Sequence, residues 1–194
     1  MAFRIPFKKM SVWQLKLFSL CLIERMLPNY QLFSESAAFG EVKVLNNVTG
    51  LIWQQLDKNQ KVKVNIDAQL AKVEEQVPEP EQFDFFAVYP ALDTAMAVVS
   101  LLQFISDKDE ENVGHISQLS QGSVENYVGL LLAQESDEVE EDALVEHPLM
   151  VWEKETQNEL FDFIATAPEN NHTIKTAKNM VLSEGVSSLG IELN

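Results

Sequence analysis

The segment from Pro90 to Ser106 is apolar on almost every face that a helix could present. Its side chains recur with helical spacing, and they fill one face and most of the rest: Leu92, Ala95, Met96, Val98, Val99, Leu101, Leu102 and Ile105. A helix that is hydrophobic all round must be covered by other elements. The longest apolar run within it is too short to cross a bilayer, which takes about 20 residues. The segment therefore predicts a buried central helix near residues 90–106, with enough neighbouring helices to enclose it.

The rest of the chain repeats the helical period. Ser11 and Gln14 fit a capping box at the start of a first helix. We expect that helix to end near Leu27 and Pro28 to begin the next one, because a first turn loses nothing without its N–H. Further helices are predicted over about 41–58, 65–77, 110–134, 148–166 and 172–184. With no internal repeat or long linker, the pattern predicts an all-α fold: one helical bundle of about eight helices spanning residues 1–194.

Composition narrows the class of protein. Hydrophobic residues make up 46% of the chain, which is typical of a globular domain. The single cysteine, Cys21, allows no intrachain disulfide, and with no membrane-spanning segment predicted we expect a cytoplasmic protein. The formal net charge of −16 argues against nonspecific binding to nucleic acid or to an anionic membrane.

The charge is unevenly distributed. Nine of the 14 lysines and arginines lie in the first 64 residues, which carry only four of the 30 acidic residues. The densest acidic stretch, Glu135 to Glu146, contains no basic residue. Like charges repel and cannot be buried unpaired, so we predict a solvated loop there. Mimicry of nucleic acid by these carboxylates is an alternative.

Signatures of known chemistry are missing from the sequence. It has no glycine-rich phosphate loop, no cysteine pair for zinc and no His-Glu-x-x-His motif. Glu155, Glu159 and Asp162 share one helix face, but that face lies opposite an apolar stripe and is expected to be solvated. The sequence thus indicates no cofactor and no metal site.

One group of polar residues stands among apolar neighbours at predicted helix ends. Its members are Glu24, Arg25, Asn65, Asp67, Tyr89 and Asp93. In one interpretation the group is structural, with Asp93 paired to Arg25 inside the bundle and capping a helix N-terminus. In the other it lines a small ligand-binding pocket that uses the carboxylates of Glu24, Asp67 and Asp93.

An aromatic cluster, Phe83 to Tyr89, precedes the central helix. Such a cluster is typical of side chains that cover a core. A platform for a ligand is the alternative.

The same regions carry a resemblance. The segment from Glu24 to Tyr30 resembles a signature of the YjaG-like family, an uncharacterised family of mainly gammaproteobacterial proteins. Further matches follow in order along the chain: Phe39-Gly40, Leu51 to Trp53, Val64 to Leu70, Glu74-Glu75, Pro78, Phe83-Asp84, Val88 to Asp93 and Gly190-Ile191. The resemblance implies an all-helical, cytoplasmic, single-domain protein, and it implies no activity or site residue.

Two classes of function are compatible with these observations. The first is a non-enzymatic helical protein that binds an unknown protein partner or forms a homo-oligomer, with no nucleic acid and no membrane involved. The alternative is a small-ligand or metal-dependent enzyme with a carboxylate pocket around Glu24, Asp67 and Asp93.

Overall fold

A computed structural model describes residues 5–136 and 138–192 of the chain. Within these ranges it contains eight α-helices and no β-strand, apart from one isolated bridge between Val186 and Glu192. The helices are α1 (Val12–Ala37), α2 (Val42–Leu56), α3 (Ile66–Glu74), α4 (Val88–Asp107), α5 (Glu110–Glu135), α6 (Glu141–Glu146), α7 (Pro148–Thr166) and α8 (Asn171–Leu182). The predicted all-α bundle is confirmed.

Helix α4 is the buried central helix that its apolar surface predicted. It packs against α1, α3 and α5. By length and composition alone, α4 could cross a membrane. However, 72% of its apolar 18-residue segment is buried inside the protein. The core helix of a soluble protein can be equally long and apolar, and the burial of α4 accounts for its apolar composition.

The predicted helix boundary at Pro28 is wrong, because α1 continues through it to Ala37. Pro28 lacks the N–H that would bond to the carbonyl of Glu24. The next two carbonyls accept hydrogen bonds from other elements: that of Arg25 from the Ser188 amide (2.9 Å), and that of Met26 from the Thr94 hydroxyl (3.1 Å). Packing on both sides thus keeps the helix continuous where a proline would otherwise end it.

The C-terminal tail closes the fold around this part of α1. Residues 186–192 turn back on themselves, and the Ser187 amide donates to the carbonyl of Ile191 (2.8 Å). The turn places Leu189 in a small apolar cluster with Val124, Val128 and Met150. The tail therefore bridges α1, α5 and α7.

The acidic stretch is only partly the loop that its charge predicted. Residues 141–146 form the short helix α6, none of whose residues is buried, and Asp137 lies outside the described residues. Leu144 gives the physical reason: it packs on the small apolar cluster and approaches Gly129 of α5. One apolar anchor thus holds a short helix whose carboxylates remain exposed.

Candidate functional site

The six polar residues singled out in the sequence lie at separate places. Among the described residues, no hydrogen bond or ion pair joins any two of them. Glu24 accepts a hydrogen bond from the Trp53 indole (2.5 Å), and the Lys178 ammonium lies 4.1 Å from the centre of that ring. Glu24 therefore belongs to a partly buried contact between α1, α2 and α8.

Arg25 pairs with Glu153 of α7, not with Asp93. Its Nη1 donates to Oε2 of Glu153 at 2.5 Å, and both side chains are completely buried. The guanidinium also lies over the Trp152 ring, 4.4 Å from its centre. The expected Arg25–Asp93 pair was wrong because α7, not α4, presents its carboxylate to this face of α1.

Further side chains complete the surroundings of Glu153. Its Oε1 accepts from the Ser120 hydroxyl (2.5 Å) and the Gln157 amide (2.6 Å), and Gln157 in turn contacts Ser117 and Gln121. We call this group, with Arg25, the buried polar network. Polar residues that interrupt the apolar stripe of α7 were the sequence signal for it, and our sequence analysis missed Glu153 and Gln157.

Asp93 accepts a hydrogen bond from the Ser123 hydroxyl of α5 (2.6 Å). Its side chain is partly buried, and this burial raises its pKa, although the Ser123 hydroxyl and the nearby His115 oppose the shift. Asn65 caps α3 by accepting from the Ala68 amide (3.1 Å), while Asp67 and Tyr89 are exposed.

No metal site emerges from these positions. Within residues 5–136 and 138–192, no group of three or more histidine, cysteine or acidic side chains could hold an ion. The three carboxylates of the hypothetical pocket thus contact different neighbours and do not converge.

The strongest candidate site lies one turn beyond Arg25, where α1 and the tail meet α4 and α5. A cavity of about 130 Å³ opens there to the surface. Its walls come from four parts of the chain: Asn29 and Leu32 of α1, Phe86, Ala87 and Pro90 at the start of α4, Tyr127 of α5, and Leu189 and Ile191 of the tail. We call this cavity the α1–tail cleft.

Asn29 is one of two residues with a polar side-chain group in the wall of the α1–tail cleft, the other being Tyr127. Its side chain is only 2% exposed, and its amide nitrogen donates to the Ser188 hydroxyl (3.1 Å). Its Oδ1 has no hydrogen-bond partner among the described residues. A buried acceptor without a donor is costly, and the Nε and Nη2 atoms of Arg25, one turn earlier, are likewise buried without partners.

Aromatic side chains form one side of the cleft. The ring of Phe86 lies 6.0 Å from that of Tyr127 and 6.0 Å from that of Tyr89, between ring centres. Phe83 and Phe85, by contrast, pack on the buried Phe33. The prediction that the cluster covers the core therefore holds for Phe83 and Phe85, while Phe86 and Tyr89 belong to the cleft and its rim.

A larger cavity, of about 810 Å³, lies between the N-terminal residues and the start of α5. Its lining mixes charges of both signs, including Lys8, Lys9, Glu110 and Glu111, most of them exposed. It is bounded by Ile5, the first described residue, and none of its described lining residues holds a buried polar atom without a partner. The α1–tail cleft is therefore the better candidate.

These features define an all-α protein with a sealed polar network and a small, mainly apolar surface cleft. The chain belongs to the DUF416 family, a family of proteins of unknown function whose sequence profile matches residues 3–192. It is 32% identical over 185 residues to the uncharacterised protein YjaG of Escherichia coli, covering 95% of this chain and 93% of that protein.

Two further relatives agree with this assignment. An uncharacterised protein of Haemophilus influenzae is 30% identical over 190 residues, covering 96% of this chain and 95% of that one. The crystal structure of a DUF416 family protein from Shewanella baltica has a TM-score of 0.85 and 38% sequence identity, covering 98% of this chain and all of that one. Fold and family are thus established together.

Proposed function

We propose that this protein is a non-enzymatic binding protein that recognises a protein partner through the α1–tail cleft. The observation that carries the proposal is the cleft itself: a cavity of about 130 Å³ with apolar and aromatic walls, open to the surface. The Arg25–Glu153 pair has no access to solvent and is assigned a structural role.

The size of the cleft favours docking over catalysis. Pockets for drug-sized ligands and cofactors occupy about 300–1,000 Å³. An engineered cavity of about 150 Å³ holds a single benzene molecule. The α1–tail cleft is therefore the right size for one side chain of a partner and too small for most metabolites or cofactors.

The residues that line the cleft also favour docking over catalysis. Among the described residues that line the cleft, none is a carboxylate, histidine or cysteine that could act as acid, base or nucleophile near neutral pH. Exposed apolar side chains instead surround it, with Leu32 44% and Tyr89 48% exposed. Aromatic residues are enriched at the energetic centres of protein interfaces. The cleft thus has the composition of a docking surface.

The net charge of −16 disfavours nucleic acid and anionic membranes as partners. We place the protein in the cytoplasm, which accords with its single buried cysteine.

Site-specific photo-crosslinking tests the proposal. A photoreactive amino acid replaces Leu32 at the cleft or, as a matched control, Val12, which is 40% exposed on the same helix. We expect a discrete crosslinked protein only from position 32, and its loss when Ala87→Trp fills the cleft. The identified partner, once purified, should bind the native protein and not the Ala87→Trp variant. A crosslink to a second copy of the chain would support self-association through the same surface.

Two results would refute the proposal: equal crosslinking from positions 12 and 32, or crosslinking and binding that survive in an Ala87→Trp variant with native circular dichroism.

A further inference from the structure

Resting on the proposed function, we infer that the docked partner places a lysine or arginine side chain on Asp93, beside the α1–tail cleft. The apolar cleft takes an uncharged side chain of the partner, and the Asp93 carboxylate takes the cation next to it. Three observations support this inference: the position of Asp93, the surroundings of its carboxylate and the charge of the two helices that hold it.

Asp93 lies one helical turn from the wall of the cleft. Pro90 of α4 and Tyr127 of α5 line the cleft. Asp93 follows Pro90 by three residues on α4. Its hydrogen-bond partner, Ser123, precedes Tyr127 by four residues on α5. Because residues at these spacings are neighbours on a helix surface, a partner segment docked in the cleft lies about one helical turn from Asp93.

The Asp93 carboxylate has one bonded oxygen and one that remains available. Its Oδ2 accepts from the Ser123 hydroxyl (2.6 Å), whereas its Oδ1 accepts no hydrogen bond within the described residues. The side chain is only partly buried, and this Oδ1, unlike that of Asn29, is not sealed from solvent. No ion pair joins Asp93 to another described residue. A cation of the partner can therefore reach the free oxygen.

The charged form of Asp93 is poorly solvated in the free protein. Burial raises its pKa, and the Ser123 hydroxyl and the nearby His115 oppose this shift without cancelling it. A carboxylate in this condition gains more from a cation than a fully solvated one does, because less of its hydration has to be displaced. Glu153 illustrates the other arrangement, a buried carboxylate whose cation comes from the same chain.

The helices on either side of Asp93 supply no competing lysine or arginine, since neither α4 nor α5 contains one. Their one basic side chain is His115, which lies 3.1 Å from the Ser100 hydroxyl. Arg25, on the helix that packs against α4, is sealed in its pair with Glu153. The potential along this junction is thus complemented by a cationic segment, and such attraction also speeds association.

Matched small molecules test the cation. The probes are 2-phenylethylammonium and 2-phenylethanol, which share a ring and a two-carbon linker and differ in charge. Each is titrated into the full chain at low salt, and the amide chemical shifts of residues around the cleft are followed. We expect the ammonium to bind about threefold to tenfold more tightly, between the values for an exposed ion pair and for a buried charged hydrogen bond. Added salt should reduce this preference.

Variants assign the preference to Asp93. Asp93→Asn removes the charge and still accepts from Ser123, so it should bind the two probes equally. Glu125→Gln is the matched control, because it changes the net charge equally at an exposed position of α5. Glu125 lies two residues from Tyr127, a spacing that places them on different faces of the helix, so this variant should keep the preference. Native circular dichroism of both variants excludes unfolding as the cause.

The outcomes separate this inference from the proposed function. Equal binding of the two probes, no binding of either, or a preference that survives in Asp93→Asn overturns the cation at Asp93. The crosslinking result then still decides whether the cleft docks a protein. Conversely, a preference that depends on Asp93, with no specific crosslink at position 32, leaves the cation site in place and refutes the partner-binding function.

The partner identified by crosslinking gives the final comparison. Asp93→Asn should weaken its binding at least about threefold, and Glu125→Gln should leave the affinity unchanged within about twofold. Equal affinities of these two variants would overturn the inference while leaving the docking function standing.

Discussion

Two consecutive turns of α1 place buried polar side chains in different surroundings. At Arg25 the charge meets Glu153 and the Trp152 ring, and the side chain is fully enclosed, although its Nε and Nη2 have no hydrogen-bond partner among the described residues. At Asn29 the amide nitrogen is bonded to Ser188, while Oδ1 is buried without a partner among the described residues, in a side chain that helps to line the α1–tail cleft. The comparison teaches that burial alone does not identify a site. Both sites contain buried polar atoms without a partner, so the difference lies in the counter-charge of Arg25 and in the cleft that Asn29 helps to line.

The largest effect on stability is expected from a substitution that breaks the buried polar network. Glu153→Ala leaves the Arg25 guanidinium buried without its counter-charge, and we expect it to lower the free energy of unfolding by about 3–5 kcal/mol. Urea unfolding followed by far-UV circular dichroism measures the loss. Glu155→Ala, at an exposed position on the same helix, should change stability by less than about 0.5 kcal/mol.

A double variant sharpens this prediction. Replacing both charges with methionine removes the pair without leaving either charge alone, so Arg25→Met/Glu153→Met should recover much of the lost stability. If Glu153→Ala lowers the free energy of unfolding no more than Glu155→Ala does, the Arg25–Glu153 pair does not have the structural role assigned to it.

The next effect concerns the tail that borders the cleft. Leu189→Ala removes a buried side chain from the small apolar cluster with Val124, Val128 and Met150. We expect a loss of about 2–3 kcal/mol, the lower part of the range for leucine truncations, since the cluster lies at the edge of the protein. Hydrogen exchange should show faster opening of residues 186–192. Leu32→Ala, on the exposed wall of the same cleft, is the control and should cost less than about 0.5 kcal/mol.

Much of the fold could be predicted from the sequence, because apolar spacing records which faces of a helix are covered. The central helix and the positions of α2, α5, α7 and α8 follow from that spacing. The continuity of α1 could not, since the elements packed on it beside Pro28 contribute Thr94 and Ser188, which lie far away in the chain. Local rules favour a helix start at Pro28, and tertiary contacts override them.

The site was less predictable for a related reason. The sequence shows which polar residues stand among apolar neighbours, and it directed attention to the turn of α1 that holds Arg25. It does not show which residue pairs with which, so Asp93 was assigned to Arg25 in place of Glu153. Nor does it show an unpaired atom: Asn29 becomes a candidate only when its two hydrogen-bonding ends are compared in three dimensions.

A smaller effect is expected at Asn29 itself. Asn29→Leu loses the bond to Ser188 but also removes a buried acceptor that lacks a donor, and these changes oppose each other. We expect the free energy of unfolding to change by less than about 1 kcal/mol, measured in urea as above. A loss of 3 kcal/mol or more would place Asn29 with Arg25 as a structural residue and remove the contrast between the two turns.

The smallest effect concerns Asp93, whose pKa is raised by burial and which lies outside both turns of the comparison. A carboxyl with a raised pKa in the folded state stabilises the fold while it is protonated. That contribution is complete below the ordinary value of 3.8 and is lost as the pH rises through the raised pKa. At neutral pH the charged form of Asp93 thus slightly lowers the free energy of unfolding. Asp93→Asn should remove it and still accept from Ser123, so stability at pH 7 should rise by less than about 1 kcal/mol.

The pH dependence distinguishes this cause from a general change in packing. The advantage of Asp93→Asn over the native chain should shrink as the pH falls towards 3.8, because the native carboxyl then becomes neutral as well. Asp162→Asn, at an exposed carboxylate of α7, is the matched control. If Asp93→Asn instead destabilises the protein at pH 7, the charge of Asp93 has a counter-charge that matters. It would then resemble Glu153, a carboxylate whose counter-charge stabilises the fold, and the comparison drawn on α1 would extend to α4.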